Sequence, residues 1–218
     1  MSFLIKHACA GMAACSLLIT GPSFASAERL EADLSALFAD GELGLGEVSK
    51  ASMRDRFTAE DIVYESLEGE RLQIGRYIVV GNYDNPEQVR LESVRVEDSL
   101  TELPLLSIES LVLGEPGAAV FTDETVRQTP LNLASLSIDG ITLDLNADLA
   151  SEIAEELDVH HSPGRLEIAK VRGEAISEDA LGMLEFTDVA MHSEDLGDLG
   201  KGAFILERMR IENLRGMQ

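Results

Sequence analysis

Apolar residues along this chain recur at i, i+2, i+5 and i+7. The spacing appears as Phe57/Ala59/Ile62/Tyr64, Leu72/Ile74/Tyr77/Val79, Val89/Leu91/Val94/Val96 and Leu106/Ile108/Leu111/Leu113. It returns as Leu131/Leu133/Leu136/Ile138, Leu184/Phe186/Val189/Met191 and Phe204/Leu206/Met209/Ile211, with weaker copies at Leu43/Leu45/Val48/Lys50 and Leu166/Ile168/Val171/Gly173. Steps of two are the period of a strand with one apolar face. The array therefore predicts a mainly β protein and not the alternation of strands and helices of a βαβ enzyme.

The step of three needs a physical account. In a regular strand it reverses parity, so the second pair of apolar residues would face the other way. Either each strand is buried on opposite faces at its two ends, or an extra residue bends the strand and returns both pairs to one side. The residues inside the gap are small or polar: Glu60-Asp61, Gly75-Arg76, Glu92-Ser93, Glu109-Ser110, Ala134-Ser135, Thr187-Asp188 and Glu207-Arg208. Such pairs favour the bend. Turn formers follow most copies, at Gly81-Asn82, Glu97-Asp98, Gly114, Asp139-Gly140 and Glu212-Asn213. Eight-residue units of roughly 26 Å, joined by short reversals, give an elongated, bent antiparallel sheet, groove-like or solenoid-like.

Two short helices are expected beside it. Leu30, Leu34, Leu37 and Phe38 mark an amphipathic helix over 30–39. Leu149, Ile153 and Leu157 mark a helical insertion near 146–160, with Asn146 as N-cap and Pro163-Gly164 beyond its end. The remaining interruption, 115–130, is bounded by Pro116 and Pro130.

Residues 1–27 read as a cleaved secretory signal. Lys6 precedes an apolar run, Gly21-Pro22 breaks it, and Ala25-Ser26-Ala27 suits cleavage before Glu28. The mature part is then one β-repeat domain over 28–218, in the periplasm or outside the cell. Both cysteines, Cys9 and Cys15, fall within the signal, which leaves the mature chain to hold together by packing alone. The whole chain has a formal net charge of −23, and loss of Lys6 makes it −24. That balance argues against nucleic acid and bare anionic lipid, both of which demand basic surfaces. No later stretch is apolar for long enough to span a bilayer.

Chemistry is sparse. His160-His161 with Glu156 lack a third fixed metal ligand, and Asp195 and Asp198 lie outside any calcium-loop pattern. No Gly-x-Ser-x-Gly elbow occurs, and no mature cysteine is available as a nucleophile. The expectation is a non-enzymatic protein without cofactor or metal.

The phrases Leu106-Ser-Ile-Glu-Ser-Leu-Val-Leu113-Gly, Val89-Arg-Leu-Glu-Ser-Val-Arg-Val96 and Phe204-Ile-Leu-Glu-Arg-Met-Arg-Ile211 resemble the strand repeats of AsmA-like envelope proteins. That resemblance covers about 57–211. It implies a long β groove that conducts lipid, here as a soluble carrier or accessory piece. The functional expectation is an exported β-groove protein binding a lipid or other apolar ligand in the bacterial envelope, with a protein of the envelope as a further partner. The residues expected to line the trough are Leu91, Val94, Val96, Ile108, Leu111, Leu113, Leu133, Leu136 and Ile138. The alternative is a structural or protein-interaction scaffold in which the same side chains form a closed core.

Overall fold

The computed structural model describes residues 27–51, 55–67, 69–99, 102–122, 132–144, 164–193 and 202–216. A helix, α1 (Ala27–Leu37), leads into ten strands: β1 (Glu42–Gly44), β2 (Val48–Lys50), β3 (Arg56–Glu65), β4 (Glu70–Asn82), β5 (Asn85–Asp98), β6 (Pro104–Gly114), β7 (Asn132–Asp144), β8 (Gly164–Ser177), β9 (Ala180–Ser193) and β10 (Gly202–Arg215). They form one sheet in the order β1, β3, β4 and so on to β10, with β2 also on β3. All pairings are antiparallel, each strand lying beside its predecessor from β3 onward. The chain is thus mainly β, as the spacing predicts.

The step of three is a seam that crosses the sheet. Ala59 pairs with Tyr77 and Ile62 with Ile74, while Asp61 and Gly75 face each other outside the ladder. The same break falls at Ser93, Glu109, Gly140, Ala169, Asp188 and Glu207 in the following strands. Every strand from β3 to β10 carries its extra residue at the same rung, so the register is unchanged on either side. Within each strand the extra residue restores the face, and both pairs of apolar residues point the same way. The reading with opposite faces is excluded.

Backbone angles alternate along this seam. Asp61, Ser93, Gly140 and Asp188 have φ of 52°, 56°, 64° and 51°, whereas their neighbours in β4, β6, β8 and β10 are not in the positive region. A positive φ costs least for Gly, Asp and Asn, which fits three of the four. A second seam crosses β7 to β10 at Ala134, Ala175, Gly182 and Asn213, and its positive angles again fall on alternate strands, at Ala175 (51°) and Asn213 (57°).

These seams correct two sequence readings. Asp139-Gly140 and Glu212-Asn213 are not turns after strands. Gly140 and Asn213 are kink residues inside β7 and β10. A Cβ on Gly140 would sit 2.4 Å from Cγ of Glu109, which lies across it. The frame in β7 also shifts. The residues continuing the rows of β6 are Leu136, Ile138, Ile141 and Leu143, opposite Leu113, Leu111, Ile108 and Leu106. Leu133 belongs to a fifth row beyond the second seam, opposite Ile176. Two overlapping copies of one spacing share Leu136 and Ile138, and the one that follows the rows is Leu136/Ile138/Ile141/Leu143.

Of the two expected helices, α1 is the one among the described residues. It starts three residues before the expected Leu30. The insertion near 146–160, Leu131 and the segment 1–26 lie outside the described residues.

The core sits at one end of the sheet. Leu30 and Leu34 of α1 are fully buried on Phe57, Ala59, Ile62, Ile74, Tyr77, Val79 and Val89, joined by Ala119 and Val120 from the segment after β6. The three tyrosines fasten this cover to the strands. The Tyr64 hydroxyl donates to Asp40 at 2.7 Å, Tyr83 to Asp33 at 2.8 Å and Tyr77 to the Ala119 carbonyl at 2.6 Å. Burial pushes both Tyr77 and Tyr83 hydroxyls well above the ordinary phenol range, with the Asp33 carboxylate adding to each. Tyr77→Phe should cost about 1–3 kcal/mol, because the buried Ala119 carbonyl loses its donor. Equilibrium denaturation measures this, and an unchanged midpoint would show that the bond contributes nothing.

Candidate functional site

The apolar side of the sheet is a set of parallel rows. One row runs Phe57, Val79, Val89, Leu113, Leu136, Gly173, Leu184, Ile211, and the next runs Ala59, Tyr77, Leu91, Leu111, Ile138, Val171, Phe186, Met209. Beyond the seam, two more begin at Ile62 and Tyr64 and end at Leu206 and Phe204. Antiparallel partners on one face stand about 5 Å apart, so each row is an apolar track across eight strands.

Cover distinguishes the two ends of these tracks. At β3 all four row residues are buried, whereas the row residues of β6 and β7 are partly exposed. At β10 the same positions are open: Phe204 is 60 % exposed and Met209 41 %, against 1 % for Phe57. Helix α1 and residues 119–120 reach only the first strands; farther on, Val171, Leu133 and Leu181 are again buried, at 4 %, 5 % and 8 % exposure, among row residues of β6, β7 and β9 that are partly exposed. The candidate site is this apolar surface from about β5 to β10, partly exposed in β6, β7 and β9 and most open at β10.

All nine residues expected to line a trough lie on that face. Leu91, Leu111 and Ile138 stand in one row, Leu113 and Leu136 in the next, and Val94 pairs with Ile108 across the seam. Val96 joins the outermost row opposite Leu106, and Leu133 stands apart in the fifth row. Leu91, Val94 and Leu113 also pack against the covered core, so they form its margin. Sequence reasoning missed Ile141 and Leu143, although the step from Ile138 to Ile141 carried the signal. It also left out Leu166, Ile168, Val171, Leu184, Phe186, Val189 and Met191, which extend the rows at equal spacing.

The reverse face is polar and ion-paired. Arg76 and Arg90 converge on Glu92 at 2.7 and 2.8 Å, and Lys170 meets Asp139 at 2.8 Å. Glu185 accepts from Nε of Arg208 at 2.9 Å and lies near Arg210; the Arg208 hydrogen bond holds its carboxyl below the usual range. Gln73 donates to Glu97 at 2.8 Å, and Arg71 lies 3.8 Å from the same carboxylate. These pairs offset part of the acidic charge on this face. A furrow of ≈ 560 Å³ follows the seam, lined in part by Asp61, Gln73, Ser93, Arg95, Ser107 and Glu109. Its lining charges are mixed and converge on no single point.

Among the described residues no three His, Cys, Asp or Glu side chains come together as a metal site, and no helix is long and apolar enough to cross a membrane. His160-His161, Glu156, Asp195 and Asp198 lie outside the described residues. No family model matches the chain, and comparison with curated proteins and with solved structures returns no match.

Proposed function

We propose that the protein is an exported, non-enzymatic carrier whose open apolar face holds a lipid chain or a similar apolar ligand. One observation carries this reading: four apolar rows, one of them interrupted at Gly173, run on past the cover that buries them at β3 and most of β4. A stable fold needs one buried face, and here the rows extend for several more strands. Large uncovered apolar surface on a soluble chain marks a place where something docks. The seam supports a trough, since an extra residue bends its strand and these bends line up. The AsmA-like resemblance of the strand phrases points the same way, toward lipid in a bacterial envelope.

The energetics suit a chain-like ligand. Each buried methylene contributes roughly 0.8 kcal/mol, so about ten of them supply on the order of 8 kcal/mol before ordering costs. That gross figure corresponds to roughly micromolar binding, with no polar anchor required. The rows cross β6 to β10 over roughly 19 Å, a length that an extended acyl chain can follow. The scaffold alternative describes β3 and β4 well, where the core is closed, but leaves the other half of the rows without a role.

Neutral Nile red is a suitable probe. The wild-type chain should bind it with a blue-shifted emission. Leu111→Glu and Leu136→Glu should each weaken binding at least roughly tenfold, by placing a carboxylate in the apolar track. Ser110→Glu, on the polar face, should leave it unchanged. Wild-type emission no different from free dye, or equal effects of all three variants, would overturn the reading.

A further inference from the structure

We propose that the outer edge of β10, unpaired among the described residues, pairs with β10 of a second copy of this chain, antiparallel, about a two-fold axis through Arg210. The two edges of the sheet differ sharply. At one, β1 and β2 are three residues each, and β2 sits beside α1. At the other, β10 runs for 14 residues, has β9 as its neighbour in the sheet, and contains no proline. Long unprotected edges are templates for a further strand.

The identity of that strand follows from the kinks. A strand added to β10 must carry two of them, one opposite Glu207 and one opposite Asn213. It must also carry apolar residues on the matching side of each. In β10 the apolar residues Phe204, Leu206, Met209, Ile211 and Leu214 are separated by steps of two, three, two and three. Reversed about Arg210, the strand fits itself. Glu207 comes opposite Asn213 of the second copy, Leu206 opposite Leu214, and Met209 opposite Ile211. An antiparallel ladder accommodates a residue facing its own copy in either of its two ring types.

Backbone angles give an independent check. Along both seams a positive φ falls on every second strand. Glu207 is not positive, so its new neighbour should be, and Asn213 has φ 57°. Asn213 in turn needs a neighbour outside the positive region, which Glu207 of the second copy supplies. Both alternations therefore continue across the junction without a break. A shift of register by one residue would break both.

Charge agrees as well. On the polar face Arg208 comes opposite Glu212 of the second copy, twice by symmetry. Arg210 meets its own copy, but in each chain Arg210 is already paired with Glu212 and lies 3.6 Å from Glu185. In a chain of net charge −23, β10 holds three arginines against two glutamates, so this edge is not acidic. The axis stands normal to the sheet, so both apolar faces stay on one side and the exposed Phe204, Met209, Ile211 and Leu214 come together.

Charge reversal tests this in solution. The wild-type chain should sediment as a concentration-dependent dimer. Arg208→Glu and Glu212→Arg should each weaken dimerisation roughly tenfold or more, since two like-charge pairs form per dimer. An equimolar mixture of these two variants should dimerise again, because both 208–212 pairs are then opposite in sign. Loss of the Arg208–Glu185 contact within one chain cannot be repaired by mixing, so the mixture separates interface from fold. As a second route, Arg210→Cys in a chain with Cys9 and Cys15 replaced by serine should form a disulfide-linked dimer on oxidation, and Leu206→Cys should not. A wild-type monomer at all concentrations, a mixture that stays monomeric with both variants folded, an unlinked Arg210→Cys chain, or an open polymer would each overturn the proposal, since a two-fold contact closes.

Discussion

Deletion of Ser93 is expected to leave the chain without a cooperative thermal transition. Ser93 is the kink residue of β5, in the middle of the sheet, and its removal restores a regular strand with reversed parity. Arg95 would then take the place of Val94 between Ile74 and Ile108, and Glu97 that of Val96 between Leu72 and Leu106. Two charged groups turned onto an apolar face cost several kcal/mol each unless they are paired. The burial of two valines is lost as well. The total rivals the whole stability of a domain, about 5–15 kcal/mol. Ser93→Gly removes the same side chain but keeps the residue and favours a positive φ, so it should change stability by no more than about 1 kcal/mol. Calorimetry on the two variants distinguishes the need for an extra residue from a need for serine. A deletion variant that melts within a few degrees of wild type would show that the ladder re-registers and that the seam is not required.

The second large effect is expected from Phe57→Ala, at about 3–5 kcal/mol. Phe57 is 1 % exposed, stacks edge-on against Tyr83 with centroids 5.2 Å apart, and carries the Lys50 ammonium 5.0 Å above its ring. Truncation leaves a void beneath α1 that fixed strands cannot collapse into. Phe204 opens the repeat in β10 as Phe57 does in β3, yet Phe204→Ala should cost less than about 0.5 kcal/mol, because its ring is largely in water. Denaturant midpoints of the two variants should differ accordingly. Equal losses would mean that the far end of the sheet is covered too, and the open-face reading would fall with that result.

Much of this architecture was legible because strand burial leaves a period in sequence. Steps of two located the strands, and small or polar gap pairs pointed to bends that keep one face apolar. The pattern succeeded in β3 to β6, β8, β9 and β10, where each copy matched the register. It failed in β7 for a specific reason. Two kinks there produce overlapping copies, and residues near one kink, Asp139-Gly140, have the chemistry of a turn. A positive φ favours the same residues whether the chain reverses or merely bends, so composition alone does not separate the two.

The order of apolar and polar positions thus determined the strand class, the single apolar face and the need for one extra residue per strand. Those are local consequences of parity, and each strand carries them in its own residues. Only the tertiary structure decided that the extra residues align into seams, that their backbone angles alternate, and that α1 covers one end while the other stays open. Alignment and cover depend on which strands become neighbours and how far a helix reaches, and no single strand encodes its neighbours.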